Sequence, residues 1–391
     1  MSSADGSNRR FITDYAATLV DCVGNAHQDN YDVRRFGPEP SPSELPTASL
    51  TKRRSWLRRH RAEPNRPDTT GLVSKDEVKY LLNIGLEFAA PHLDQLQWLD
   101  QRLADDESRD LLRQLIAFRA LGYHCVKLPT NRPELWADIQ RLERMAEGSE
   151  TIPANFLGWE LPKLDLQSIG FPIQLFFLPY GAVILFLLQQ YCCQTSAGPI
   201  EVRDGDVVVD AGGCWGDTAI YFSFKVGSRG KVFSFEFLPE NLAIYRRNLE
   251  LNPELAQRIE LLPHPVWSSG GKELFVAGNG PGTTVTPTRK SADDAVVSTM
   301  SIDQLLDRPD VTRIDFIKMD IEGAELAALH GAEQTLKRFR PRLAITVYHQ
   351  LPDFWEIPQY IDSLGLGYRF YLRHFTIHSE ETVLFAESNQ S

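Results

Sequence analysis

The segment VVVDAGGCWGDTAIYF (residues 207–222) decides how this chain is read. A β-branched run ends in Asp210, a turn follows with glycines at 212, 213 and 216, and from Asp217 the apolar spacing turns helical. That is a strand, a tight turn and a helix. Glycine lets such a turn bend sharply and lets the backbone approach a ligand closely. The same alternation continues downstream. Strands are expected at KVFSFEF (231–237), RIELLP (258–263), VVSTM (296–300), RIDFIKMD (313–320), RLAITVYH (342–349), YRFYLRH (368–374) and TVLFAE (382–387). Helices are expected at 217–226, 239–251, 322–339 and 353–364. Strand, crossover helix and strand in repetition give an α/β fold with a mostly parallel, doubly wound sheet. No helix separates the last two runs, which predicts a hairpin carrying one antiparallel edge strand.

Upstream of this core the pattern differs. Residues 74–165 show helical spacing, as in Val78, Leu81, Leu82, Leu86 and again Leu111, Leu112, Leu115, Ile116. Ser74 with Glu77 reads as a capping box, and Ser108 lies at the entry of a second helix. Residues 1–73 hold one helical stretch, Phe11 to Gly24, and then sequence dominated by Pro, Ser and charge. Such composition buries too little apolar surface to offset its ordering entropy. The division expected is therefore a flexible or loosely docked arm (1–73), a helical module (74–165) and the sheet domain (166–391). The basic run KRRSWLRRHR (Lys52 to Arg61) reads as a solvated linker or a helix on the protein's own acidic surface, the alternative being a contact to an anionic surface. GFPIQLFFLPYGAVILFLLQQYCC (170–193) is interrupted by Pro172, Gln174 and Pro179, and its apolar core is shorter than a spanning helix needs. It reads as buried core.

With 41 Lys plus Arg against 52 Asp plus Glu, the net charge is −11. That balance argues against nucleic acid as a partner of the whole chain. Five cysteines read as reduced thiols rather than a disulfide framework, and the polar opening MSSADGSNRR carries no export signal. A cytoplasmic location is expected, with self-association through the helical module an open possibility.

In a doubly wound sheet the ligand lies beyond the carboxyl ends of the strands, where strand order reverses. The dinucleotide fingerprint G-x-G-x-x-G started at Gly212 fails at Cys214 and Asp217. The pattern of an acid followed by alternating glycines, the first motif of class I S-adenosylmethionine (SAM) methyltransferases, matches at Asp210, Gly212 and Gly216, with Cys214 in place of the middle glycine. Glu236 closes the second strand, where a carboxylate can accept hydrogen bonds from both hydroxyls of a ribose. In RIDFIKMDIEGAE, Lys318, Asp320 and Glu322 alternate across a strand end and turn, and Glu325 begins the next helix, where it also complements the helix dipole.

Together DAGGCWGDTAIYF, FSFEFLPENLAIYRRNLELNP, STMSIDQLL, DFIKMDIEGAE, LAITVYH and YLRHFTIHSEETVLFA resemble the FkbM family of SAM-dependent methyltransferases, over roughly residues 200–387. The resemblance implies a Rossmann-like class I fold, SAM as methyl donor, and most often O-methylation, with sugars, glycans and natural products among the acceptors. It places Asp210, Gly212, Gly216 and Glu236 against the cofactor, with Gly213, Asp217 and Thr218 beside them. Trp267, in HPVW after the third strand, would border the adenine or be ordinary core. For the proton of an acceptor hydroxyl, His349 is the first expected base, since it closes a strand at the ligand edge and its neutral imidazole suits proton uptake near pH 7. Asp320 is the second, as base, as orienter of His349 or as a contact to the SAM amino group. Asp320 with Glu322 is also a weak candidate pair for a divalent cation. His374 reads as polar scaffolding. The glycine-rich stretch 277–287, with Thr283 and Thr284, is a hairpin turn or a lid over the acceptor. Two other readings stay open: a SAM-binding scaffold without catalysis, and a nicotinamide-dependent oxidoreductase.

Overall fold

The computed structural model describes residues 5–24, 30–33, 75–154, 156–278, 280–289 and 295–388. The described residues form two compact units, one drawn from Met1–Leu93 with Arg113–Asn131, the other from Asp94–Leu112 with Arg132–Ser391. The basic run at 52–61, the capping residue Ser74 and most of the arm lie outside the described residues.

In the smaller unit the helix Asp5–Val23 turns Phe11, Tyr15, Leu19 and Val23, spaced by four, into the core. Its partner is the helix Lys75–Ala89. Leu19 packs on Gly85, where a Cβ would collide with it, and the Tyr15 hydroxyl donates to the Gly85 carbonyl at 3.1 Å. This stretch of the expected arm is packed, because its apolar stripe has a helix to cover it.

The larger unit holds thirteen described strands. β1 (Thr151–Pro153), β2 (Glu160–Asp165) and β3 (Gln174–Phe176) form a small antiparallel sheet. The main sheet contains β4 (Val207–Ala211), β5 (Lys231–Phe235), β6 (Ile259–Leu262), β10 (Phe316–Met319), β11 (Arg342–Thr346), β12 (Tyr368–His374) and β13 (Thr382–Ser388), in the order β12-β13-β11-β10-β4-β5-β6. A second small sheet orders β8 (Thr284–Thr286), β7 (Glu273–Ala277) and β9 (Val296–Ser298). β10 and β11 are buried throughout and β4 nearly so, as continuous apolar runs covered on both faces must be.

The α/β reading holds, with differences in detail. VVSTM forms β9, which pairs antiparallel with β7 outside the main sheet; both its ends are exposed, so it lacks the burial of a central strand. The antiparallel strand is β13, inserted between β11 and β12, so that the edge strand β12 runs with the parallel set. The helix expected at 322–339 is two, Glu325–His330 and Glu333–Phe339. They part at Gly331, whose backbone lies so close to the Trp267 carbonyl and Ser268 that a side chain would not fit. The helix Asp106–Leu121 is capped by Asp105, which accepts the Ser108 N–H at 2.8 Å; Ser108 itself is inside the first turn. Residues 182–186, in the apolar segment, are buried core, and no helix among the described residues is long and apolar enough to cross a membrane.

Chain order sets where a ligand can lie. From β4 the chain steps outward to β5 and β6, then returns to the far side of β4 as β10. Strand order reverses between β4 and β10, and their carboxyl ends carry Asp210 and Asp320.

Candidate functional site

A pocket of about 560 Å³, its mouth included, opens at that reversal. Its wall takes Gly212 and Cys214 from the glycine turn, Glu236 and Asn241 from the end of β5 and the helix after it, and His264, Pro265 and Val266 from beyond β6. Gly280, Pro281, Thr283 and Val285 close one side, and Asp320, Ile321, Glu322 and Ala324 the other.

The glycine turn is held from below. Gly212 and Gly213 donate to the Phe235 carbonyl at 3.1 and 2.8 Å. Gly212 is left-handed (φ 91°), and a Cβ there would strike the Asp320 carbonyl oxygen, so no other residue fits. Cys214, at the position where the motif has glycine, nevertheless takes a left-handed backbone (φ 43°). Burial pushes its thiol well above the usual range, which leaves it protonated and a poor nucleophile.

Asp210, expected at the cofactor, does not line the pocket. Its carboxylate is fully buried and accepts from Thr218 Oγ1 at 3.0 Å and Ser234 Oγ at 2.8 Å, with Lys318 Nζ at 3.1 Å. Lys318 also donates to the Gly212 carbonyl at 2.6 Å. Burial opposes the charge on Lys318, but Asp210 and Asp320 more than offset it and hold its pKa above the ordinary lysine value. Thr218 likewise points inward, at Asp210. Gly216 (φ 81°) packs on the Tyr245 ring, and neither it nor Gly213 or Asp217 lines the pocket. Asp217, buried at the start of its helix, is pushed up to about 7 by burial, with Lys318 opposing. These residues shape the turn from behind.

Glu236 does face the pocket. Its Oε1 accepts the backbone N–H groups of Phe237 and Leu238, both at 2.7 Å, while Asn241 Nδ2 donates to Oε2 at 3.3 Å. Burial raises its pKa. Trp267 is off the wall; its N–H is spent on the Met300 carbonyl at 3.0 Å, and the three residues before it border the pocket instead. His374 is buried at the β12–β13 hairpin, with Nδ1 2.9 Å from Thr382 Oγ1, and does not line the pocket. The stretch 277–287 is a β7–β8 hairpin whose tip lines the pocket and packs on Phe156; Asn279 lies outside the described residues.

At the other end of the pocket charges converge. His349 Nε2 lies 3.5 Å from Asp320 Oδ1 and 3.5 Å from Glu322 Oε2, and its Nδ1 3.2 Å from Glu325 Oε1. Burial works against charge on the ring, yet Glu322, Glu325 and Asp320 raise its pKa to about 11. That shift favours the imidazolium, whereas the sequence reading took a neutral ring as base; His349 does not line the pocket itself. Glu325, wholly buried, is raised by burial but lowered more by His349, and ends below the usual carboxylate range. Glu322 is raised by burial and takes a left-handed backbone (φ 57°). Asp320 accepts from Thr346 Oγ1 at 3.2 Å and from Tyr348 at 3.3 Å. Asp320, Glu325 and His349 each offer one donor atom within 4.8 Å of the other two, whereas Glu322, expected as the partner of Asp320, is not of that trio.

Residues 202–370 match the model of the methyltransferase FkbM domain. The match covers less than half of the chain, and over that stretch the chain is similar to FkbM methyltransferases. No curated protein matches. Among solved structures, a methyltransferase FkbM from Methylobacillus flagellatus KT is 21% identical, with 79% of this chain and 62% of that one covered and a TM-score of 0.48. The chain thus spans less than two thirds of that protein's length. A putative O-methyltransferase from Klebsiella pneumoniae is 13% identical over 67% of this chain and 92% of that one, TM-score 0.32. Fibrillarin from Aeropyrum pernix, solved with natively bound SAM, is 12% identical over 61% and 99%, TM-score 0.33.

Several residues on the wall or behind it carried no sequence signal. Asn241 is a single polar residue at a helix start, and Ser234 is one serine in an apolar strand. Only pairing and register bring them to the pocket or to Asp210.

Proposed function

We propose that the FkbM domain is an O-methyltransferase that holds SAM in the pocket at the strand reversal and methylates a hydroxyl of a sugar, glycan or secondary metabolite. One observation carries the reading: Glu236 with Asn241, and the carboxylates of Asp320 and Glu322, share one pocket from opposite ends. The first end suits an adenosine. Glu236 Oε2 is available to ribose hydroxyls, and Asn241 Oδ1 and Thr283 Oγ1 are buried in the same wall with no hydrogen-bond partner among the described residues.

Bound SAM supplies an electrophilic methyl group on a sulfonium. The chain's part is to align an acceptor oxygen, exclude water and take up a proton. The acceptor oxygen forms a bond to the methyl carbon as the carbon–sulfur bond breaks, the bonding pair stays on sulfur, and the hydroxyl proton leaves to a carboxylate. Asp320 and Glu322 line the wall and are placed to accept it, whereas His349 stands behind them. The negative charge of this end also favours a cationic donor over a phosphate-bearing cofactor.

Calorimetric titration of the purified chain with SAM and, separately, with NAD tests the cofactor: SAM binds and NAD does not, and NAD binding alone overturns the reading. Labelled-methyl transfer across sugars, glycans and small alcohols should give an oxygen-linked methyl. In Asp320→Asn, turnover should fall by about 100-fold or more, the range for a lost proton acceptor.

A further inference from the structure

We propose that Asp320, Glu325 and His349 hold a divalent cation whose remaining coordination positions open on the pocket, where it binds the acceptor's hydroxyl oxygen. The inference rests on the methyltransferase reading for its role, and on the cluster alone for the site.

Three features of the cluster point to a cation. The first is convergence: two carboxylates and an imidazole from three places in the chain, the end of β10, the helix after it and the end of β11, bring donor atoms within 4.8 Å of one another. A divalent ion bonded at about 2.0–2.2 Å bridges such a set once the side chains draw in slightly. The second is unmet bonding capacity. Both ring nitrogens of His349, whose side chain is 8% exposed, and Oε2 of the wholly buried Glu325 make no hydrogen bond of acceptable geometry. Buried polar atoms without partners are rare in folded proteins and mark an absent ion or ligand. The third is charge. Three carboxylates surround one imidazole, and among the described residues no lysine or arginine lies within ion-pair distance of Asp320, Glu322 or Glu325. The nearby Lys318 is committed to Asp210. A divalent cation supplies the missing positive charge.

The donor set names the class of ion. Two carboxylates suit Mn²⁺ or Mg²⁺, and an imidazole shifts the choice toward Mn²⁺, Fe²⁺ or Zn²⁺. The trio takes no group from the glycine loop, which leaves the Glu236 end of the pocket to SAM. Because Asp320 belongs both to the trio and to the pocket wall, an acceptor hydroxyl reaching the cation would lie against the methyl donor's side of the pocket. A hydroxyl bound to a divalent cation gives up its proton more readily. Asp320 is then a ligand, and Glu322, left in the wall, takes the proton.

The test uses the full chain stripped with EDTA and dialysed free of chelator. Mn²⁺ titrated by calorimetry and by loss of its free-ion electron paramagnetic resonance signal should show one equivalent bound, and Zn²⁺ should compete. Asp320→Asn, His349→Ala and Glu325→Gln should each weaken Mn²⁺ binding at least tenfold. Glu322→Gln should leave it within about threefold. If a variant misfolds by circular dichroism, the wild-type stoichiometry still decides: absence of saturable Mn²⁺ and Zn²⁺ uptake overturns the proposal. Uptake unchanged in all folded trio variants also overturns it. SAM titration in the presence of EDTA separates the two readings. SAM bound and methyl transferred at an unchanged rate in EDTA removes the cation and keeps the methyltransferase; Mn²⁺ bound in a chain that does not bind SAM does the reverse.

Discussion

At the end of β4, Asp210 meets Lys318, and its carboxylate also accepts from the Thr218 and Ser234 hydroxyls. At the ends of β10 and β11, Asp320, Glu322 and Glu325 crowd one imidazole whose nitrogens find no well-formed hydrogen bond. Both clusters are buried, both sit under the same pocket, and they are joined through β10, which carries Lys318 and leads directly into Asp320. The difference separates scaffold from site. A buried charge that is paired one-to-one and fully hydrogen-bonded asks for nothing further, and holds the backbone around it in one shape. A cluster left with excess negative charge must take up protons or a cation.

Breaking the settled cluster should give the largest effect on stability. Lys318→Met leaves the Asp210 carboxylate buried and uncompensated, which costs about 3–5 kcal/mol. Equilibrium urea denaturation reads this directly, through a lower midpoint at unchanged slope. The double variant Asp210→Asn/Lys318→Met should recover a large part of the loss, since it leaves no lone charge. If the single variant costs nothing, Lys318 is not what fixes the glycine turn, and the contrast drawn above fails on its scaffold side.

Next in size is Gly212→Ala. The left-handed backbone and the collision with the Asp320 carbonyl combine, and strain of this kind costs roughly 1–3 kcal/mol. Gly212 is where the two clusters touch, so the variant should also weaken SAM binding at least tenfold by calorimetry. A stability loss with unchanged SAM affinity would show that the turn moves without disturbing the pocket.

How much of this was legible in the chain follows the same division. The parallel core was readable because VVVDA, KVFSF and FIKM are short apolar runs separated by helical stretches, a pattern with one common solution. Glu236 and Asp320 were readable because strand ends at a reversal are where ligands bind, whatever the side chains around them. Asp210 lies off the pocket wall for a reason its spelling does not carry: an acid before a glycine turn reads the same whether its carboxylate faces out to a ligand or in to a lysine on the neighbouring strand. β10 pairs with β4 so that Lys318 stands opposite Asp210, and no local pattern encodes that register. His349 stands just past β11 as read, but the carboxylates that raise its pKa include Glu325, which comes 24 residues earlier and looks like a helix-start acid. The antiparallel β13 and the excursion through β7, β8 and β9 were hidden because strand partners depend on burial that a three- to seven-residue run does not carry.

The smallest expected effect concerns Cys214, the one departure of the glycine turn from its motif, and it tests whether that departure matters. A non-glycine residue in left-handed backbone costs about 1–2 kcal/mol. Cys214→Gly removes that cost. It also gives the unfolded chain more freedom, worth roughly 0.4–1 kcal/mol against folding, and takes a buried thiol out of the pocket wall. The terms oppose one another, so stability should change by no more than about 1 kcal/mol and SAM affinity by no more than about threefold. The thiol, protonated and shielded by burial, has no charge to lose. A much larger fall in SAM affinity would mean that the Cys214 side chain itself contacts the cofactor. In that case the glycine turn would belong with the half-finished cluster at β10 and β11, and its role would not be scaffold alone.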